Sequence, residues 1–259
     1  MMNREENLDF CIHYLQRQEG ESLQGPTTLE AKQRMLRALM NVWPPQPLDA
    51  EYLSAQDAEL QAQREDKGVV VADELFAEGD IVVWQGDITR LGVDAIVNAA
   101  NSGMLGCWSP LHDCIDNVIH SSAGLQLRSE CDGKIKAGLW RGESSAEAGE
   151  AIITSGYNLP ARYVLHTVGP IVHSGIPTPQ QEAQLAQCYK SCLSLAEAGG
   201  CRSIAFCCIS TGVFNFPHRR AAEIAVATIR QYKPEGMKIV FNVFKNIDHD
   251  IYQSLLRAD

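Results

Sequence analysis

Two cysteines and a histidine stand close together in the stretch GCWSPLHDC, which covers residues 106–114. Cys107, His112 and Cys114 follow the spacing Cys-x4-His-x-Cys. Two thiolates and one imidazole form a ligand set suited to Zn²⁺. A structural zinc needs four protein ligands, whereas three ligands and an open position are typical of a catalytic metal. The stretch therefore predicts zinc, and the alternative is a loop of packed thiols with a surface histidine.

The other cysteines do not extend this site. The chain has nine cysteines, and their odd number and irregular spacing argue against a disulfide scaffold. A buried free thiol behaves as a small hydrophobic side chain. We therefore predict core positions for the five that lie in apolar strand-like or helical runs, namely Cys188, Cys192, Cys201, Cys207 and Cys208.

Composition limits the classes of partner. The 259 residues are 45% hydrophobic and carry a formal net charge of -10. So acidic a surface repels nucleic acid and anionic membranes unless positive charge is locally concentrated, and no such block is visible. No stretch approaches the ~18 apolar residues of a membrane span, and the first residues lack the apolar core of a signal peptide. We expect a cytoplasmic protein without a membrane or nucleic-acid partner.

The chain changes character near residue 70. Before it, three helical patterns follow one another, and the second stops at Pro44 and Pro45. From Gly68 on, strand-like runs that are apolar on both faces, beginning with GVVVAD at 68–73, alternate with helical runs, of which the first runs from Cys114 to Gly133. This alternation predicts a mainly parallel sheet covered on both sides. The fold class is therefore α/β. We divide the chain into an N-terminal helical extension, residues 1–68, and an α/β domain, residues 69–259.

In such folds the functional site lies at the carboxyl ends of the parallel strands. Four segments follow strand-like runs and carry polar or small residues: GDIT at 86–89, the stretch 98–114, HTVGP at 166–170 and STGVFNFP at 210–217.

Taken together, GDIT (86–89), VDAIVNAANS (93–102), IDNVIHSSAG (115–124) and STGVFNFP (210–217) resemble the motifs of a macrodomain, the ADP-ribose-binding fold. Each string alone is weak, but four in this order at strand ends form a specific pattern. The resemblance covers roughly residues 69–259 and implies a mixed, mainly parallel sheet between helices.

The resemblance assigns the ligand contacts at one end of the cleft. It implies that Asp87 accepts a hydrogen bond from the adenine amino group and that the Ile88 N–H reaches a ring nitrogen. Asp87 could instead only cap a turn. Phe244, at the end of the last strand, is a candidate to stack on adenine or else a core residue.

The diphosphate and the distal ribose are assigned in the same way. Backbone N–H groups of the small-residue turn from Ser210 to Phe214 can cradle a diphosphate. Phe214 itself would pack on the distal ribose. Asn101 is expected to touch that ribose and Asn98 to tie down the loop backbone. Asn215 stands where macrodomains often have a second glycine. The turn consists of Ser210, Thr211, Gly212, Val213 and Phe214.

The Cys-His-Cys loop and the helical extension together resemble the zinc-containing macrodomain subfamily. That resemblance implies a protein ADP-ribosylhydrolase, which removes mono-ADP-ribose from modified proteins. Some members occur beside sirtuin-like transferases and lipoyl-carrier proteins, so either is a candidate partner. Asp116 matches the family's cleft aspartate, although it and Asp113 could also be a fourth zinc ligand. His120 fits a helix histidine better than a catalytic one.

Several alternatives remain open at the level of the sequence. Zinc could activate a water or polarise a distal-ribose hydroxyl. Asp116 could orient the ribose, act as a base or only cap its helix. The rival functions are a non-catalytic ADP-ribose reader, a phosphatase acting on ADP-ribose 1″-phosphate, and an interaction module with a structural zinc.

Overall fold

The computed structural model describes residues 3–19, 25–77, 79–138 and 145–257. The three predicted N-terminal helices are present as α1 (Arg4–Glu19), α2 (Leu29–Val42) and α3 (Ala50–Lys67). Helix α2 begins where the Thr28 hydroxyl accepts a hydrogen bond from the Ala31 N–H, and α3 ends at Gly68, which has a positive φ of 73°.

The rest of the described chain alternates strands and helices as predicted. The strands are β1 (Val70–Val71), β2 (Ile81–Gln85), β3 (Leu91–Gly92), β4 (Ala95–Ala100), β5 (Ala151–Ser155), β6 (Tyr163–Val168), β7 (Ser203–Phe206) and β8 (Lys238–Val243). The helices are α4 (Ala72–Leu75), α5 (Ile115–Ala123), α6 (Leu125–Lys136), α7 (Pro179–Ala198), α8 (His218–Tyr232) and α9 (Asn246–Arg257), with a 3-10 turn at Ile88–Arg90.

Six strands form one mixed sheet in the order β2-β8-β7-β4-β6-β5. Every neighbouring pair is parallel except β5 with β6, which is antiparallel. Strands β4, β6, β7 and β8 are almost entirely buried, as expected for a sheet covered on both faces. The predicted α/β class with a mainly parallel sheet between helices is therefore confirmed.

The sheet has a switch point between β4 and β7. From β4 the chain continues to β5 and β6 on one side, whereas from β7 it continues to β8 on the other. Connections that leave neighbouring parallel strands in opposite directions open a crevice at the carboxyl ends of those strands. In this chain the crevice lies between the residues after Ala100 and those after Phe206.

The N-terminal helices have a hydrophobic core of their own that also includes one residue of the α/β part. Leu8, Leu15, Leu36 and Tyr52 are at most 1% exposed and pack in one cluster with Leu125 of α6. Burying large apolar side chains of this kind contributes roughly 1.5–3 kcal/mol each. The extension is thus packed against the sheet-bearing part through α6 as well as through polar contacts.

Two predicted elements differ from the structure. The run GVVVAD is a strand only at Val70–Val71, and the short helix α4 follows at once. The helical run from Cys114 to Gly133 is broken at Gly124, whose φ of 103° separates α5 from α6. A Cβ at Gly124 would lie 2.7 Å from Nε2 of Gln56 in α3, so the chain approaches the extension too closely at this break for a residue with a side chain.

The predicted core cysteines are buried, except that Cys208 is partly exposed. Among the described helices, none is both long and apolar enough to cross a membrane.

Candidate functional site

The predicted site residues lie in a row along the carboxyl edge of the sheet. Asp87 follows β2, Phe244 follows β8, the Ser210 turn follows β7, and Asn101 follows β4. Because these four strands are consecutive neighbours in the sheet, the row has the same order in space. Adjacent strands are about 4.8 Å apart, so the row from β2 to β4 spans roughly 14 Å.

Asp87 caps the 3-10 turn at the outer end of this row. Its Oδ1 accepts hydrogen bonds from the N–H of Thr89 at 3.0 Å and the Thr89 hydroxyl at 2.7 Å. Its Oδ2 lies 3.3 Å from Nζ of Lys67, the last residue of α3. Despite partial burial, which acts in the opposite direction, these contacts lower the pKa of Asp87. The carboxylate is therefore ionised at neutral pH, and Ile88, its neighbour, is buried with 1% exposure.

Phe244 is not a core residue, because 78% of its surface is exposed. Its carbonyl oxygen accepts a hydrogen bond from Nε2 of Gln85, at the end of β2. The ring thus stands free beside the strand that carries Asp87, where an aromatic face can stack on a flat base.

The turn after β7 is folded tightly around Ser210. Ser210 has a positive φ of 66° and its carbonyl accepts the Phe216 N–H, while Asn215 has a φ of 54° and donates to Gly212. Val213 is 69% exposed at the tip. The carbonyl of Phe214 accepts the Val172 N–H, which attaches the turn to the segment after β6.

Close approach of two loops fixes this turn. A Cβ on Gly169 would lie only 2.0 Å from Oγ of Ser210. Ser210 is 6% exposed, and no described residue hydrogen-bonds to its hydroxyl. A side chain at Gly169, directly after β6, would therefore collide with the turn. The sequence predicts that Gly169 lies at a strand end but indicates no role for it.

The two asparagines of the NAAN stretch have different contacts from those expected. Asn101, rather than Asn98, ties down the loop backbone, since its Nδ2 donates to the Gly106 carbonyl at 3.0 Å and its Oδ1 accepts the Gly103 N–H at 2.9 Å. The assignment of Asn98 to the loop backbone is wrong. Asn98 lies inside β4, is fully buried, and donates to Asp116 at 2.7 Å.

Asp116 is a buried carboxylate between the two asparagines, and Asp116, Asn98 and Asn101 are together called the cleft floor. Asp116 is 4% exposed, and its other carboxylate oxygen accepts a hydrogen bond from Nδ2 of Asn101 at 3.2 Å. Burial raises the pKa of Asp116 to about 6, while the amide donors and the charge of Arg128 act in the opposite direction. Asp116 is thus positioned to hold both asparagine side chains in place.

Two buried histidines lie behind this floor. His166 is the cross-strand partner of Asn98, and its Nδ1 lies 3.1 Å from Nδ2 of that residue. Burial lowers the pKa of His166 to about 3. The pKa of His120 is also lowered by burial and by the nearby His166, and no described residue hydrogen-bonds to its ring nitrogens. His120 lies buried on helix α5, with its Nε2 3.6 Å from Oδ1 of Asp116. Both rings are neutral at pH 7.

The three predicted metal ligands come together in the loop whose backbone Asn101 contacts. The ligand atoms of Cys107, His112 and Cys114 all lie within 4.8 Å of one another, and Cys107 Sγ is 3.7 Å from His112 Nδ1. A tetrahedral zinc with bonds of about 2.3 Å to sulfur and 2.0 Å to nitrogen places such ligand atoms about 3.5–3.8 Å apart. The donor set fits zinc in both chemistry and spacing.

No fourth histidine, cysteine or carboxylate of the described residues joins this group, and neither Asp113 nor Asp116 is part of it. Cys114 is also the N-cap of α5, and its sulfur accepts the Asn117 N–H at 3.5 Å. Burial and the neighbouring Cys107 raise the pKa of Cys114 to about 12. Without a cation, Cys114 therefore remains a thiol at neutral pH and is not a free thiolate nucleophile.

The sequence did not indicate that polar residues of α2 and α6 hydrogen-bond to this loop. Arg128 of α6 donates to the Leu105 carbonyl at 2.7 Å and lies 4.2 Å over the Trp108 ring. Its guanidinium also contacts the carbonyls of Met40 and Trp43. The available signal was its position, since Arg128 falls three residues after Leu125 and three before Cys131 on the buried face of α6. Arg37 and Asn41 of α2 contact the same region.

The sequence matches the family model described as Macro domain over residues 97–225. A protein of Treponema medium named "Protein-ADP-ribose hydrolase" is 48% identical over 98% of this chain and all of its own length. A protein of the same name from Staphylococcus aureus (strain MSSA476) is 44% identical, covering 97% of this chain and 96% of the relative. Coverage this complete includes the N-terminal helices.

Solved structures agree with these matches. An Oceanobacillus iheyensis macrodomain with ADP is 39% identical and superposes with a TM-score of 0.60 over 68% of this chain and 90% of its own. A Trypanosoma brucei macrodomain in complex with ADP-ribose is 29% identical, with a TM-score of 0.64 over 85% of this chain and 94% of its own.

Proposed function

Because the chain belongs to the macrodomain family, we propose that it is a hydrolase that releases ADP-ribose from mono-ADP-ribosylated proteins. Relatives that match nearly its whole length are named protein-ADP-ribose hydrolase. The reaction adds water across the bond between the anomeric carbon of the distal ribose and a protein side chain. The carbon receives the hydroxyl group, and the leaving side chain receives the proton.

One observation carries the proposal, namely the order of chemistry along the carboxyl edge of the sheet. Asp87 and Phe244 can read and stack a base, and the Ser210 turn offers backbone N–H groups. The loop with Cys107 is hydrogen-bonded to Asn101 through the Gly106 carbonyl. That order is the order of adenine, diphosphate and distal ribose in ADP-ribose. With the substrate bound in that order, the Cys-His-Cys group would lie beside the bond to be cleaved.

The residues of the turn and floor would bind and orient the substrate. Backbone N–H groups of the turn from Ser210 to Phe214 would bind the diphosphate, and the ring of Phe214 would flank the distal ribose. The Asn101 carbonyl oxygen keeps one acceptor lone pair after binding the Gly103 N–H, and this lone pair is available to a ribose hydroxyl. Asp116 would act through Asn98 and Asn101 by holding their amides in position.

We propose that Cys107, His112 and Cys114 hold Zn²⁺. When bound, zinc with one open position supplies Lewis acidity, either to a water or to a distal-ribose hydroxyl. Cys114 would lose its proton on binding, since a thiolate is the ligand form. The start of α5 favours that negative charge, because a helix N-terminus carries partial positive charge.

The test is release of ADP-ribose from a mono-ADP-ribosylated protein by the wild-type chain and by Cys107→Ser, with ADP-ribose affinity measured on the same samples by calorimetry. We expect Cys107→Ser to bind ADP-ribose with unchanged affinity and to lose turnover. Cys208→Ser is the matched control, because Cys208 is a partly exposed thiol outside the metal group.

Other outcomes identify other functions. Binding of ADP-ribose by the wild type without turnover on any protein linkage would indicate a reader. Release of phosphate from ADP-ribose 1″-phosphate, with protein-linked ADP-ribose left intact, would indicate a phosphatase. Either result would overturn the proposed hydrolase.

A further inference from the structure

Helix α2 of the N-terminal extension directly contacts the loop that carries the three candidate metal ligands. Oδ1 of Asn41 accepts a hydrogen bond from the Leu111 N–H at 2.9 Å. Nη2 of Arg37 donates to the carbonyl oxygen of His112 at 2.8 Å. Two consecutive loop residues, one of them a ligand, are therefore held by side chains from one helix.

The first of these contacts holds a strained backbone. Leu111 has a φ of 58°, in the left-handed region that residues with a side chain rarely adopt. Such a conformation persists only where the surroundings hold it. Asn41 is itself fixed, because it is 1% exposed and its Nδ2 donates to Oγ of Ser121 on α5 at 2.9 Å. The left-handed residue directly before His112 sets the direction in which the chain enters that ligand.

The second contact reaches the two cysteines through Asn117. Arg37 donates to Oδ1 of Asn117 at 2.8 Å through Nη2 and at 3.2 Å through Nε. Nδ2 of Asn117 then donates to the Ser109 carbonyl at 2.9 Å and faces the Cys107 carbonyl at 3.5 Å. The Asn117 N–H donates to the sulfur of Cys114. One arginine of the extension is thus connected to the backbone or sulfur of all three ligands.

We propose that α2 presets the loop from Cys107 to Cys114 in its metal-binding conformation, with Arg37 and Asn41 as positioning residues. The proposal rests on the proposed zinc site. A preset loop needs no reorganisation when the metal arrives, and partners that orient metal ligands typically account for roughly 10- to 100-fold in metal affinity. The N-terminal extension is then part of the active site.

The first measurement is the Co²⁺ affinity of the metal-free full chain, followed by the thiolate-to-cobalt absorption. We expect Asn41→Ala and Arg37→Ala each to weaken affinity by roughly 10- to 100-fold. Asn41→Asp keeps an acceptor for the Leu111 N–H and should lose less than Asn41→Ala. Arg64→Ala is the matched control, because Arg64 of α3 donates to the Asn158 carbonyl, outside the loop, and it should bind Co²⁺ as the wild type does.

The second measurement is hydrogen exchange of the segment 105–114 in the metal-free chain. Loss of the Asn41 contact should speed exchange of the Leu111 amide, whereas Arg64→Ala should leave it unchanged. In a Leu111→Gly background, where a positive φ carries no side-chain penalty, Asn41→Ala should weaken Co²⁺ binding less.

The outcomes separate this proposal from the zinc site on which it rests. If the wild type gives no cobalt–thiolate absorption, the zinc site is overturned, and the exchange data alone decide whether α2 presets the loop. If wild-type Co²⁺ affinity and slow exchange both persist in Asn41→Ala and Arg37→Ala, the positioning role is overturned. If Asn41→Ala fails to fold, Arg37→Ala and Asn41→Asp give the same test. Arg37 is only partly buried, so its replacement disturbs the fold less.

Discussion

Asn98 donates a hydrogen bond of 2.7 Å to Asp116, and both side chains are buried in the floor of the cleft. The second carboxylate oxygen of Asp116 accepts from Asn101. One acidic residue therefore fixes the side chain inside β4 and the side chain directly after it. The cleft floor depends on a carboxylate because two amide donors point at it.

Replacing Asp116 by Asn should disturb this floor. An asparagine offers only one acceptor oxygen, so its own NH₂ group would face one of the two donors that the carboxylate now satisfies. An unsatisfied buried polar group costs about 1–3 kcal/mol. We expect a lower melting temperature and loss of turnover, measured by calorimetry and by ADP-ribose release. Unchanged stability and activity would contradict the role given to Asp116.

Gly169→Ala should disturb the turn from Ser210 to Phe214, which we propose binds the diphosphate. The added Cβ would lie 2.0 Å from Oγ of Ser210 and 2.9 Å from Cγ2 of Ile209, so both side chains at the start of the turn must move. We expect ADP-ribose affinity to fall by roughly 10-fold or more, which corresponds to about 1.4 kcal/mol. Gly133→Ala is the control, since a Cβ there meets nothing within 4 Å and alanine favours the helix. If Gly169→Ala and Gly133→Ala bind ADP-ribose with equal affinity, the close approach of Gly169 to Ser210 does not determine binding.

The role of Asp87 can be tested with a ligand in which another base replaces adenine. If its carboxylate accepts the adenine amino group, the wild type should bind inosine diphosphate ribose, which lacks that group, roughly 10-fold more weakly than ADP-ribose. In Asp87→Ala this difference should shrink, and the remainder reports the Ile88 N–H, which loses its acceptor because N1 of hypoxanthine carries a proton. A difference of the same size in both proteins would show that Asp87 serves only the turn at Thr89.

The positions of most site residues could be predicted because parallel strands bring their carboxyl ends to one edge. Runs apolar on both faces located β2, β4, β7 and β8, and the residues after them then had to lie in a row. The role of Asn98 differs from the expected one because Asn98 lies inside β4, where its side chain is fully buried and cannot reach the loop. Asn101 lies past the end of the strand and contacts the loop backbone instead.

Contacts between distant parts of the chain could not be predicted. Arg37 meets Asn117 and Asn41 meets Ser121 across 80 residues of sequence. Periodicity indicates which face of a helix is buried, but it does not indicate the element against which that face packs. For the same reason the sequence predicts α2 as a helix but not its contacts with the loop from Cys107 to Cys114.

Burial of His166 should make the free energy of unfolding depend on pH. Its pKa is about 3 in the folded chain against about 6.5 when unfolded, so the unfolded chain binds more protons between these values. Stability from this group is complete above pH 6.5 and is lost as the pH falls towards 3, by at most about 1.4 kcal/mol per pH unit.

The comparison is between urea unfolding of the metal-free wild type and of His166→Gln at several pH values. The difference between the two proteins isolates His166 from Asp116, whose raised pKa of about 6 acts in the opposite direction below that pH. The variant should lose less stability than the wild type between pH 7 and 5. His249→Gln, which changes a partly exposed histidine, should follow the wild type. Parallel curves for wild type and His166→Gln would contradict a neutral buried ring.

The most direct test of the central claim is the rate of ADP-ribose release from a mono-ADP-ribosylated protein before and after zinc is removed. The chain is treated with a chelator, freed of it, and given Zn²⁺ or, in parallel, Mg²⁺. We predict that turnover is lost with the zinc and returns with Zn²⁺ at one ion per chain, while Mg²⁺, which prefers oxygen ligands, restores nothing. Full turnover in the zinc-free chain would contradict the account.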